Sequence, residues 1–124
     1  MEDKKKILLV DDDIISIEVA NIVLQDDYEI TTANSGNEAL ALLLNKYKPD
    51  LILLDVIMPE LSGWETFNRI RGISLLSNVP IAFLTTLTPF EGLEQAQKMG
   101  AADYITKPFD KADLQTRLEK ILAN

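Results

Sequence analysis

Three stretches of this chain leave almost no room for a polar face: "ILLV" (7–10), "DLILLD" (50–55) and "VPIAFLTT" (79–86). Side chains of a β-strand alternate between the two faces of its sheet, so an unbroken apolar run must be covered on both sides. Between these runs the apolar spacing becomes helical. Ile15, Val19, Ile22 and Val23 predict a first helix with that face turned to the core. "YEITTA" (28–33) reads as a weaker, alternating strand at a sheet edge. "SGNE" (35–38) reads as a capping box opening a helix that runs to roughly Tyr47, with Leu40, Leu43, Leu44 and Tyr47 on its apolar side.

The second half repeats the alternation. "SGWE" (62–65) predicts a capped helix with Phe67 and Ile70 inward, and "TPFE" (88–91) places Pro at the first helical position behind a Thr cap. Gly100 stops that helix, "ADYIT" (102–106) is a short strand, and Leu114, Leu118, Ile121 and Leu122 mark a last helix. Five β–α units without a repeat or linker predict one doubly wound α/β domain with a mainly parallel sheet, spanning residues 1–124.

Two absences narrow the chemistry. The chain has no Cys and no His, which excludes disulfides, thiolate nucleophiles, imidazole bases and the common zinc sites. Any metal must be a hard, oxygen-liking cation such as Mg²⁺ or Ca²⁺. A net charge of −8 disfavours direct contact with nucleic acid or an anionic membrane. No apolar run reaches the length of about 18 needed to span a bilayer. The start "MEDKKK" lacks a signal-peptide core, so the expected location is cytoplasmic.

Ligands of such sheets bind at the carboxyl ends of the strands. Those ends are Asp11, Asp12 and Asp13, then Asp55, then Thr85 with Thr86, then Lys107. Like charges crowded at the edge of an apolar core repel unless a cation offsets them. Several carboxylates without His or Cys suit an octahedral Mg²⁺ that keeps some of its waters. Asp13 by itself is better read as the cap of the first helix.

At this point the chain resembles the response-regulator receiver domains of two-component signalling, including stand-alone chemotaxis-type regulators. The resemblance rests on "ILLVDDD" (7–13), "PDLILLDVIMPELSG" (49–63), "PIAFLTT" (80–86) and "GAADYITKPF" (100–109), in that order. Thirty residues separate Asp55 from Thr85, and 22 more lead to Lys107. The resemblance implies a flavodoxin-like (βα)5 fold with strand order 2-1-3-4-5. It implies that Asp55 accepts a phosphoryl group as an aspartyl-phosphate, and that Asp11, Asp12, Asp55 and the backbone carbonyl of Ile57 hold Mg²⁺. Lys107 then pairs with the phosphoryl oxygens, and the Lys107–Pro108 bond is cis. Thr85 is the switch hydroxyl, whose inward movement opens room for the aromatic Tyr104.

Lacking His, the chain needs a partner histidine kinase or His-containing phosphotransfer protein as donor. Its own chemistry is self-catalysed transfer to, and hydrolysis from, Asp55 rather than turnover of a free substrate. Phe90, Leu93 and the region through Tyr104 form the implied output face, for an unknown downstream protein or for a homodimer through the fourth helix, fifth strand and fifth helix. Thr86 stands where the family more often carries Ala or Gly, which predicts slower attack by water. Ile57 and Leu87 flank the site with apolar side chains. Trp64 is expected to cover core. Other readings are a phosphorylation-independent interaction module on the same fold, and an aspartate-nucleophile phosphohydrolase built on Asp11 and Asp13. A flavodoxin is disfavoured because no phosphate loop follows the first strand. An end directly after the fifth helix fits either a complete single-domain regulator or a domain cut from a longer protein.

Overall fold

The computed structural model describes residues 3–123. The elements follow in the order β1 (Lys5–Val10), α1 (Ile14–Leu24), β2 (Tyr28–Ala33), α2 (Gly36–Leu44), β3 (Leu51–Leu54), α3 (Gly63–Arg71), β4 (Ile81–Thr85), α4 (Pro89–Met99), β5 (Asp103–Thr106) and α5 (Lys111–Leu122), with a 3₁₀ turn at Ser74–Leu76. The five strands form one sheet in the order β2-β1-β3-β4-β5, and every pairing is parallel. The weak "YEITTA" segment is an edge strand, as its composition indicates.

Both faces of the sheet are covered, which accounts for the unbroken apolar runs. Leu8 and Val10 of β1 join Ile52, Leu54, Ile81 and Phe83 in one core, packed against Ala39, Leu43, Phe67, Ile70 and Ala96 from α2, α3 and α4. The intervening Ile7 and Leu9 join Leu51, Leu53, Ala82 and Leu84 in a second core, closed by Ala20 and Leu24 of α1 and Leu114 and Leu118 of α5. Burying each such Leu or Ile contributes on the order of 1.5–3 kcal/mol, so the three central strands anchor the domain from both sides. Trp64 packs edge-on against Phe83 with ring centroids 4.8 Å apart, covering core as expected.

Side-chain caps set the helix starts. Ser35, Ser62 and Thr88 each accept a hydrogen bond from the backbone N–H three residues on, and Asp13 and Asp110 cap α1 and α5. Only Thr88 completes the reciprocal box, because Glu91 also reaches back to it. At the "SGNE" start, Glu38 instead accepts from the N–H of Asn34, one residue further back. Gly100 closes α4 with a left-handed φ of 83°.

Two helix faces differ from expectation. In α1 the inward residues are Ala20 and Leu24, with Ile17 and Val23 beside them, while Ile15, Val19 and Ile22 face outward. This helix is apolar on most sides, so spacing alone offers two faces, and Ala20 and Leu24 lie on the buried one. In α2 the helix ends at Leu44 rather than Tyr47, and Leu44 is exposed. Leu43 is buried and Leu40 and Tyr47 pack against the same core as expected, with Gly36 and Ala39 buried beside them. Among the described residues no helix is long and apolar enough to cross a membrane.

Candidate functional site

Parallel pairing brings the carboxyl ends of the central strands to one edge, and backbone hydrogen bonds pin each end there. The N–H of Asp11 donates to Ala33, that of Asp55 to Val10 and that of Lys107 to Thr85. Thr85 is itself the last residue of β4 and is fully buried. The start of α3 then presses onto this edge. A side chain on Gly63 would put its Cβ 2.1 Å from the carbonyl oxygen of Asp55, so only glycine permits the approach.

The carboxylates of Asp11, Asp12 and Asp55 converge until an oxygen from each lies within 4.8 Å of the others. Asp11 and Asp55 are buried, whereas Asp12 sits exposed at the mouth. The Lys107 ammonium enters between the buried pair, 2.5 Å from Asp11 Oδ2 and 3.6 Å from Asp55 Oδ2. Asp11 is fully engaged, since its Oδ1 also accepts from the N–H of Asp13 at 2.9 Å. Asp55 makes longer contacts than Asp11: besides Lys107, its Oδ1 receives a 3.4 Å contact from the N–H of Ile57. Asp13 is occupied as a cap, accepting from the N–H of Ile15 and the hydroxyl of Ser16, which leaves it unsuited to the acid–base role of a phosphohydrolase.

Burial pushes the Asp55 carboxyl above its ordinary value. The Thr85 hydroxyl and then the Lys107 ammonium pull it back, while the neighbouring Asp11 pushes the same way as burial. Three carboxylates thus face one ammonium, and an oxygen-only donor set of this kind fits a hard divalent cation.

A second chain of contacts leaves the site through β4 and β5. Thr85 Oγ1 accepts from the N–H of Leu87 at 3.2 Å, and the carbonyl of Leu87 accepts from the Tyr104 hydroxyl at 2.7 Å. Tyr104 is buried, its ring tilted against Phe83 at 6.3 Å. The Lys107–Pro108 bond is cis, as the resemblance implies. Thr86 is exposed and lines a groove of about 280 Å³ with Ile15, Val19, Lys107, Pro108 and Phe109. Sequence reasoning brought the acids, Thr85 and Lys107 to one edge. It missed the direct Lys107–Asp11 pair and the bridging main chain of Leu87, because both depend on how close strand ends approach in space.

Comparisons with known proteins agree with this geometry. The family described as "Response regulator receiver domain" matches residues 7–119. A transcriptional regulatory protein, the CpxR homolog of Haemophilus influenzae, is 42% identical over 118 residues, covering 94% of this chain and 50% of that protein. The chain thus spans about half the length of that relative. The chemotaxis response regulator CheY4 of Vibrio cholerae superposes with a TM-score of 0.87 at 36% identity, covering 96% of this chain and 99% of that one. The receiver domain of the Francisella response regulator 1452 gives 0.85 at 30% identity, covering 97% and 98%. With an acidic edge, a flavodoxin-like sheet in the order 2-1-3-4-5 and a match over residues 7–119, this chain belongs to the response regulator receiver domains of two-component signalling.

Proposed function

We propose that this receiver domain takes a phosphoryl group on Asp55 from a phosphohistidine of a partner histidine kinase or His-containing phosphotransfer protein. The carrying observation is the buried Asp55 carboxylate 3.6 Å from the Lys107 ammonium, grouped with Asp11 and Asp12. An Asp55 oxygen attacks phosphorus and forms the new P–O bond. The P–N bond to the donor imidazole breaks and its electron pair returns to the ring nitrogen; because the other ring nitrogen already carries a proton, the donor leaves as neutral imidazole. Aspartyl-phosphate formation of this kind needs alignment and charge neutralisation more than covalent assistance.

Asp11, Asp12, Asp55 and the backbone carbonyl of Ile57 would hold Mg²⁺. When bound, Mg²⁺ supplies neutralising charge at the phosphoryl oxygens. Lys107 moves its ammonium from Asp11 toward those oxygens, a shift its position between the two acids makes short. Thr85 keeps accepting from Leu87 through a lone pair while its hydroxyl proton turns to a phosphoryl oxygen. The added charge, close to −2, and the new acceptors bias the Thr85–Leu87–Tyr104 chain. Hydrolysis by water restores the carboxylate, and exposed Thr86 stands over the approach and slows it.

The donor docks on α1. Ile14, Ile15, Val19 and Ile22 are all exposed there, and Ile15 and Val19 line the same groove as Lys107, so this apolar face continues directly into the phosphoacceptor pocket. Output leaves by the face of α4, β5 and α5, where Phe90 is wholly exposed, toward a downstream protein or a second copy of this chain. Incubation with Mg²⁺ and acetyl phosphate, followed by intact mass, tests the core of this reading. Wild type gains one phosphoryl group and Asp55→Asn gains none; equal labelling of both, or of neither, rejects it.

A further inference from the structure

Helix α4 carries Gly92 in its interior, although glycine there weakens a helix and Gly100 already serves as the stop. The backbone does not require it, because Gly92 is absent from the positive-φ positions. Space does. A Cβ at Gly92 would lie 2.3 Å from the hydroxyl oxygen of Tyr104, 3.0 Å from its Cζ and 2.9 Å from Cδ2 of Leu87. Two of the three nearest atoms belong to one tyrosine, and the third to the residue whose carbonyl that tyrosine binds.

We propose that Gly92 is the positioning residue for Tyr104: its missing side chain makes the seat in which the ring lies inside, with its hydroxyl on the Leu87 carbonyl. The use of this seat in switching rests on the function proposed above, whereas the seat itself stands on packing alone. Three groups hold the ring: the glycine surface, the Phe83 ring 6.3 Å away and the Leu87 carbonyl 2.7 Å from the hydroxyl. A displaced ring has somewhere to go, since a groove of about 160 Å³ lies between α4 and β5, lined by Leu93, Ala96 and Ala101 beside Tyr104.

The test is an NMR measurement of contacts between the Tyr104 ring protons and residue 92, on the whole chain with and without beryllofluoride and Mg²⁺. Wild type shows these cross-peaks. Gly92→Ala loses them, and Gly92→Ala with Tyr104→Phe regains them, because the phenylalanine lacks the oxygen that the new Cβ meets first. Wild type without these cross-peaks in either condition overturns the proposal, as does a Gly92→Ala protein that keeps them. A double variant that fails to regain them reduces Gly92 to helix packing and also overturns it. The wild-type measurement needs no variant to fold. Absence of phosphoryl uptake at Asp55, read by mass, rejects the proposed function while leaving the ring contacts as a separate result.

Discussion

Helices α1 and α5 flank the same face of the sheet and use their apolar residues in opposite ways. Both close the core built on Ile7, Leu9, Leu53 and Leu84. Helix α5 turns Leu114 and Leu118 fully inward, with Ile121 and Leu122 packed beside them. Helix α1 covers its share with Ala20 and Leu24 and leaves Ile14, Ile15, Val19 and Ile22 in solvent, the last at 67% exposure. A helix apolar on nearly all sides is ordinarily buried on nearly all sides. The surplus on α1 lies beside the acidic pocket, since Asp13 caps this helix and Ile15 shares a groove with Lys107. One helix is committed to stability. The other serves stability on one side and leaves an apolar face in solvent on the other, the face proposed above for donor docking.

The sharpest way to break this contrast is to truncate both helices. Leu118→Ala removes a fully buried side chain and is expected to cost about 2–5 kcal/mol, read by urea denaturation. Val19→Ala on the outer side of α1 is expected to stay within about 0.5 kcal/mol of wild type. A Val19→Ala loss as large as that of Leu118→Ala would place α1's outer face in the core and end the comparison. The functional half follows. Ile15→Ala combined with Ile22→Ala is expected to slow transfer from a phosphohistidine donor about tenfold, or roughly 1.4 kcal/mol, as for loss of apolar anchors at an interface. Uptake from acetyl phosphate, which needs no docking face, should be unchanged. Equal slowing with both donors would mean that the substitutions disturb the pocket itself.

These two helices also mark what was legible in the sequence. The sheet could be read because Ile7 and Leu9 must go to one face and Leu8 and Val10 to the other, so a four-residue apolar run admits no exposed side. The site could be read because parallel strands deliver Asp11, Asp55, Thr85 and Lys107 to one edge whatever the helices do. The face of α1 could not. Ile15, Val19 and Ile22 keep helical spacing as well as Ile17, Ala20 and Leu24 do, and counting bulk favours the wrong set. The buried face is instead the one that carries Ala20 and Leu24. The position of Tyr104 was hidden for a related reason: its seat is made by an absent side chain, and a lone glycine inside a helical pattern carries no direction.

The smallest expected effect lies in the pocket that α1 caps, and it separates strain from packing. Burial raises the Asp55 carboxyl, Asp11 adds to that, and Thr85 with Lys107 offset only part of it. A raised value in the folded state means that folding favours the protonated acid. Its contribution is therefore fully present below the unfolded value of about 3.9 and is lost as pH rises through the folded one. Ionised Asp55 at neutral pH consequently opposes folding. Asp55→Asn keeps the shape and removes the charge, so it is expected to stabilise the domain at pH 7 by about 1 kcal/mol. The gain should shrink toward zero below about pH 4, where wild-type Asp55 is protonated in both states. Paired urea titrations at the two pH values read this directly. A gain that persists unchanged at low pH would have to come from packing, and no gain at pH 7 would mean that Lys107 and Thr85 cancel the burial completely. In either case the acidic edge would be as relaxed as the α5 interface, and the cation would no longer be needed to relieve it.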